Sequence, residues 1–325
     1  MITIEKYQEN LVEIWDKFVD SANNGTIFHR QSFLNYHQDR VFDDSSLIIK
    51  NKNKLVALLP AAIVKKNILY SHPGASFGGL VIKHSLSFTI LNQIIRALEQ
   101  YCIDNKFQSL ILINSPYIYY DYYSASMNYL LKWNGYQEKE QYISHAVQLS
   151  RAVNLKKMLS KRKQRYFNNN KQLKNITFST TKDFEIFYQL LKLSKKKYQS
   201  KPTHSFDELN QLQTIFPSQI KLIISKYKEQ IVGGSLLFFT NSCSCLVFYN
   251  VISSKYRDTQ LSALQLFYCM QYANKKGARV LDFGVSHSPE QKNVLDPKFS
   301  LIEFKEQLGA QGVLRTVFQK KYDVK

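Results

Sequence analysis

The sequence predicts an α/β (α+β) protein of two tandem domains, each a mixed central sheet flanked by helices, with a cleft between them. Three observations carry this. The chain of 325 residues is longer than one ordinary domain and matches two of roughly 150. A strand, charged turn and longer strand occur twice, as LIIKNKNKLVALLP from Leu47 and LIISKYKEQIVGGSLLFF from Leu222. A strand led in by a polar turn also recurs, as KFQSLILINS ending at Ser115 and KGARVLDFGVS ending at Ser286. Both matches fall at offsets of about 170 to 175 residues, which argues for a duplicated unit.

The copies divide the chain at residues 1–150 and 151–325. In the first, Ile2 to Ile4 reads as a strand, and Leu11, Ile14, Trp15 and Phe18 lie at helical spacing. The Leu47 hairpin follows, then ILYSH and the turn Ser71 to Gly79, SHPGASFGG. Small residues there let backbone N–H groups approach a ligand, so His72, Ser76, Gly78 and Gly79 are candidate contacts; a tight turn between strands has the same composition. Phe88 to Asn105 carries an apolar helical stripe through Leu91, Ile94, Ile95, Leu98 and Cys102. The tyrosine-rich run Tyr119 to Trp133 is predicted helical up to Asn134 and Gly135, and Gln141 to Leu149 alternates as a strand.

Charge is uneven. Of the formal +19, a large part lies between Arg151 and Lys201, where 15 Lys and Arg face two acids, Asp183 and Glu185. Leu155 to Leu173 is predicted as one helix whose apolar stripe, through Leu159 and Tyr166, includes Arg162. A guanidinium on an inward face needs a partner, either an acid or a ligand phosphate. With Lys161 and Arg165 beside it, Arg162 is a candidate phosphate grip. A solvated basic face is the plainer alternative.

Cys102, Cys243, Cys245 and Cys269 include no C-x-x-C pair and read as reduced core residues, and no metal set is expected. MITIEKYQEN lacks the pattern of a signal peptide, and no apolar run reaches the ~18 residues of a span, so a cytoplasmic protein is the expectation.

The order of these motifs is familiar: the Ser71 to Gly79 turn, the basic helix, then FYNVISSKYRDTQLSALQLFYCMQYANKKGARVLDFGVS and FKEQLGAQGVLRTVFQKKY. Over nearly its whole length the chain resembles the Fem-like acyltransferases, tandem-domain members of the GNAT acyltransferase superfamily. The carrying matches are Tyr256 with Arg257, Leu281 to Gly284 (LDFG) and Phe304 to Ala310 (FKEQLGA). The resemblance implies two GNAT-like domains and transfer of an acyl or aminoacyl group to an amine of an envelope or glycan precursor. Acyl-CoA or aminoacyl-tRNA is the implied co-substrate, with no permanently bound cofactor. The implied partners are a phosphorylated sugar or peptide precursor and tRNA, not DNA, with peripheral association at the inner membrane left open.

On that resemblance Lys305 takes the catalytic Phe-Lys position, and Asp282 and His287 at the end of the LDFG strand are candidate proton acceptors. Asp282 fits equally as the cap of a turn, and His287 as a hydrogen-bonded structural residue. Tyr249, Asn250, Arg257, Gly284 and Ser286 are implied substrate contacts. One departure stands out. The superfamily's pyrophosphate loop runs Arg or Gln, two residues, Gly, one residue, Gly or Ala, whereas Arg257 to Ala263 reads RDTQLSA, without glycine. The alternative of a different class is a non-catalytic protein that binds RNA or another anionic ligand on the duplicated fold.

Overall fold

The computed structural model describes all residues except 38, 39, 66, 151, 153, 170–172, 197–199, 288–292, 294, 324 and 325. The chain forms two compact units, Met1–Gln141 with Leu314–Lys325, and Tyr142–Val313. The division at 150 expected from sequence therefore moves to 141, and residues 314–325 join the first unit. The cause is strand pairing: Val317–Lys321 lies antiparallel to Ser109–Ile113 and buries Phe318 in the first unit's core.

In the first unit, Ile2–Lys6, Leu47–Asn51, Lys54–Leu59 and Val81–Ile82 form a four-stranded sheet in that order. Ala62–Val64 pairs antiparallel with Ile68–Ser71, which runs parallel to Ser109–Ile113. Helix Phe88–Asp104 packs its predicted stripe, Leu91 to Cys102, into this core. Its cap is Ser87, whose side chain accepts from Ile90 N, a bond worth about 1 kcal/mol.

The second unit is also mixed. Ile176–Thr181, Ile220–Tyr227, Gln230–Phe239 and Ser244–Ile252 are antiparallel neighbours. Ser244–Ile252 runs parallel to Val280–Val285, paired only from Ser244 to Leu246 against Val280 to Asp282. Beyond Leu246 the two strands part, opening the sheet at the carboxyl end of Val280–Val285. Gln137–Gln148 pairs antiparallel on the far side of that strand. Helix Leu261–Lys275 packs Ala263, Leu266, Cys269, Met270 and Ala273 onto the core. Helix Phe206–Ile215 starts on a capping box between Ser205 and Glu208.

The duplication extends to backbone detail. The charged turns of the two hairpins both hold two residues at positive φ, Lys52 and Asn53 in one, Lys228 and Glu229 in the other. The two long helices end alike, with Phe107 N bonded to Cys102 O and Ala278 N to Ala273 O.

Two predicted helices are shorter than expected. Tyr119 to Trp133 holds a 3₁₀ turn, Tyr117–Tyr119, and a helix only from Ser126 to Trp133. Between them the amides of Asp121 and Tyr122 bond to Asn23 instead of to their own segment. Leu155 to Leu173 is broken into Leu155–Met158 and Lys161–Asn169, because Leu159 is extended and Ser160 N bonds to Gln307 O. The break rotates the helical stripe: Arg162 is exposed and Lys163 is the buried cation.

The four cysteines are free. Among the described residues no helix is long and apolar enough to cross a membrane, and no cluster of His, Cys, Asp or Glu could hold a metal ion.

Candidate active site

The end of strand Val280–Val285 is where predicted site residues meet. Gly284 has φ +74, which turns the chain sharply after Phe283. Asp282 is fully buried beneath this turn and its Oδ1 accepts from Gly284 N at 2.7 Å, so the turn-capping reading of Asp282 holds in the structure. The turn also presents the carbonyls of Gly284 and Val285 to a side chain.

That side chain is Lys305. It comes from helix Phe299–Glu306, is only 4% exposed, and its Nζ donates to Gly284 O at 2.8 Å, Val285 O at 2.9 Å and Ser286 Oγ at 3.1 Å. Three donors meet three acceptors, which is how an ammonium survives burial. The following Gly309 has φ +85, and a Cβ there would approach Met158 O at 2.9 Å, so this loop needs glycine to hold Lys305's helix in place.

Ser286 is buried, with N bonded to Ile143 O and O accepting from Lys298 N. Its Oγ lies 2.7 Å from Nδ1 of His145, on strand Gln137–Gln148. Burial holds the His145 pKa below its ordinary value, and the Lys305 ammonium lowers it further, against the raising effects of Glu306 and Asp282. His145 was not singled out from the sequence. Residues 144 to 147 are buried on both faces of their strand, so alternation gives the imidazole no distinguishing side.

His287 belongs to the same turn but points differently. Its Nε2 accepts from Ile143 N at 2.9 Å and its ring meets Tyr142 edge-on, so the Nε2 lone pair is committed to the backbone. A proton-accepting role for His287 is therefore disfavoured by its own hydrogen bond.

The other predicted contacts of the second unit lie away from this turn. The Tyr249 hydroxyl accepts from Thr203 N at 3.0 Å and pairs with His204, tying down that turn. Asn250 accepts from Ser235 Oγ and Gln265 Nε2 and donates to Ser262 Oγ, a polar network between sheet and helix. Arg257 is exposed on the 3₁₀ turn Ser254–Thr259. Gln260, in the glycine-free run Arg257 to Ala263, keeps a left-handed φ of 64° at the start of helix Leu261–Lys275. Its side-chain oxygen accepts from Lys163, whose ammonium also lies 5.3 Å from the Phe304 ring centre. Burial lowers the Lys163 pKa, and Arg162 lowers it further, against Glu303. Lys161, Arg162 and Arg165 are exposed, the two arginines lining a groove of about 460 Å³ with Tyr166 and Asn169.

In the first unit, Ser71 to Gly79 is closed on itself. Ser71 Oγ accepts from Gly79 N and Ile113 N, and a Cβ on Gly78 or Gly79 would press on Ser71 O or Asn114 Oδ1. His72 is buried, its Nδ1 accepts from Gly74 N, and burial pushes its pKa down to about 4. Ser76 alone of the four candidates is exposed.

This architecture is a Fem-like tandem GNAT fold. Comparison with solved structures places it beside FemX, with a TM-score of 0.73 at 14% identity over 98% of each chain. A tandem GNAT protein from the clavulanic acid biosynthesis pathway has a TM-score of 0.56 at 8% identity, covering 99% of this chain and 98% of that one. The C-terminal domain of a putative lysylphosphatidylglycerol synthetase from Agrobacterium fabrum has a TM-score of 0.56 at 10% identity, covering 95% and 91%. No family model and no curated protein sequence matches the chain.

Proposed function

We propose that the chain is an acyltransferase that moves an acyl or aminoacyl group from an activated donor to an amine of an envelope or glycan precursor. The observation that carries this is Lys305: a buried ammonium fixed by two carbonyls and Ser286 where the parallel strands part, in a fold of the acyltransferase type. A fixed positive charge at that opening favours the negative charge that develops on an acyl carbonyl under attack. In the reaction the amine nitrogen bonds to the carbonyl carbon, the carbon–oxygen or carbon–sulfur bond to the leaving group breaks, and the proton lost from nitrogen ends on the leaving atom.

For the donor, Gln260 and Lys163 occupy the start of helix Leu261–Lys275, where a CoA pyrophosphate needs bare backbone. An aminoacyl ester makes no such demand and is the donor this reading favours. The groove at Arg162 and Arg165 fits a phosphate of either substrate. The test is intact-mass detection of transfer to UDP-sugar and peptide amines, with acyl-CoA in one arm and charged tRNA in the other. Transfer that persists at full rate in Lys305→Met, or none in either arm, removes the reading. The non-catalytic alternative draws on the exposed cations of the Lys161–Asn169 helix and expects RNA binding with a steep salt slope and no transfer.

A further inference from the structure

We infer that His145 is a catalytic residue of this site, presenting its Nε2–H to the acyl carbonyl oxygen of the donor in a tautomer imposed by Lys305 through Ser286; this rests on the transferase reading above. The hydrogen positions follow from the donors, the acceptors and the burial of Ser286. An ammonium has only hydrogens to give, so Ser286 Oγ receives where it meets Lys305 at 3.1 Å. Ser286 is fully buried and its Oγ has no third partner among the described residues, so its own hydrogen is satisfied only by going to His145 Nδ1 at 2.7 Å. Nδ1 is thereby the acceptor, and the single hydrogen of a neutral imidazole sits on Nε2.

The environment keeps the ring neutral. The charged groups acting on it are Lys305, which opposes a second positive charge, and Glu306 and Asp282, which favour one; burial tips the balance toward the neutral form. His145 is buried, and its Nε2 has no hydrogen bond to any described residue, so this N–H is left over for a ligand. A neutral, unpartnered N–H on a fixed ring can receive charge developing on an oxyanion, but it cannot act as a base. During attack the carbonyl π pair moves onto oxygen beside this N–H. When the intermediate collapses the pair returns, the leaving group departs, and His145 ends unchanged.

Substitutions separate this role from a structural one. His145→Gln places an amide N–H near the reach of Nε2, whereas His145→Asn mimics only Nδ1 and still accepts from Ser286. The expected result, with the donor and acceptor pair the wild type uses, is a fall in kcat of about 10²-fold for His145→Ala with KM changed less than about threefold. Gln recovers most of the loss and Asn little. In ¹⁵N NMR of the ring nitrogens, the wild type shows a protonated Nε2 and a bare Nδ1, and Ser286→Ala releases a mixture of tautomers. Full turnover in His145→Ala, equal rescue by Asn and Gln, or a protonated Nδ1 in the wild type overturns the inference. A wild-type chain inert toward every pair removes the transferase reading and this role together, and the NMR result still reports the tautomer, so the two failures read differently.

Discussion

Each unit follows its equivalent strand with a serine that meets a histidine, and the two pairs differ in what surrounds them. In the first unit Ser115 Oγ lies 3.4 Å from His29 Nε2, but both nitrogens of that ring are occupied: Nδ1 accepts from Thr26 N and Nε2 meets Gly78 O at 3.1 Å. Full burial pushes the His29 pKa down to about 4, and no ammonium among the described residues acts on it. In the second unit the Ser286–His145 pair is shorter, gains Lys305, and leaves one ring nitrogen without a hydrogen bond to any described residue. One serine position shared by the two copies thus holds a structural clamp in one and candidate chemistry in the other, with its histidine supplied from a different element each time. What separates them is the cation supplied by helix Phe299–Glu306 and the ring nitrogen left without a partner among the described residues.

The largest test of this contrast is Lys305→Met. Removing the charge while keeping the stem is expected to cut kcat by about 10²- to 10³-fold, measured by single-turnover transfer, with the far-ultraviolet circular dichroism spectrum unchanged. Next comes acid stability, to which His29 contributes alongside His72, whose pKa burial also pushes down to about 4. Its sign follows from linkage: below about pH 6.5 the unfolded chain's imidazole binds a proton, while His29 resists until about pH 4. Stability from His29 is therefore complete above about pH 6.5 and declines as pH falls toward 4, by roughly 3 kcal/mol at most. Urea melts at stepped pH values should show a shallower fall in stability over this window in His29→Gln and an unchanged one in Lys305→Met.

A smaller effect is expected at Gly309, where φ is +85 and an added methyl would meet Met158 O at 2.9 Å. Gly309→Ala should cost about 1–3 kcal/mol in chemical denaturation and lower turnover through displacement of Lys305's helix. The smallest is Ser115→Ala, expected to cost under about 1 kcal/mol and to leave transfer unchanged, against a clear kinetic loss in Ser286→Ala. Equal kinetic effects at both serines would erase the distinction between the copies.

The fold was legible because its period is regular. Helical spacing from Leu91 to Cys102 and the repeated charged hairpins at Leu47 and Leu222 survive into helix Phe88–Asp104 and two hairpins with matching turn geometry. Errors arose where a tertiary partner overrode the local pattern. Asn23 took the amides of Asp121 and Tyr122 from a predicted helix, and Gln307 O took Ser160 N and broke another, so that Lys163 is buried where Arg162 was expected. Lys305, Ser286, Gly284 and Asp282, named on motifs contiguous in sequence that carry the family resemblance, do come together in the structure. His145 was not legible in the sequence, since its meaning comes from a contact 141 residues away along the chain.

The return of strand Val317–Lys321 to the first unit has a consequence for how the chain is made. Ser109–Ile113 has Ile68–Ser71 on one side, but on the other its neighbour is Val317–Lys321, and Tyr322 N closes onto Gln108 O. A ribosome therefore delivers Met1–Gln141 with one side of that strand uncovered, and the missing piece emerges only after all of Tyr142–Val313 has been made. The second unit can close while the first still waits. Completion thus runs against chain order, and the amino-terminal half is the later of the two to acquire its full sheet.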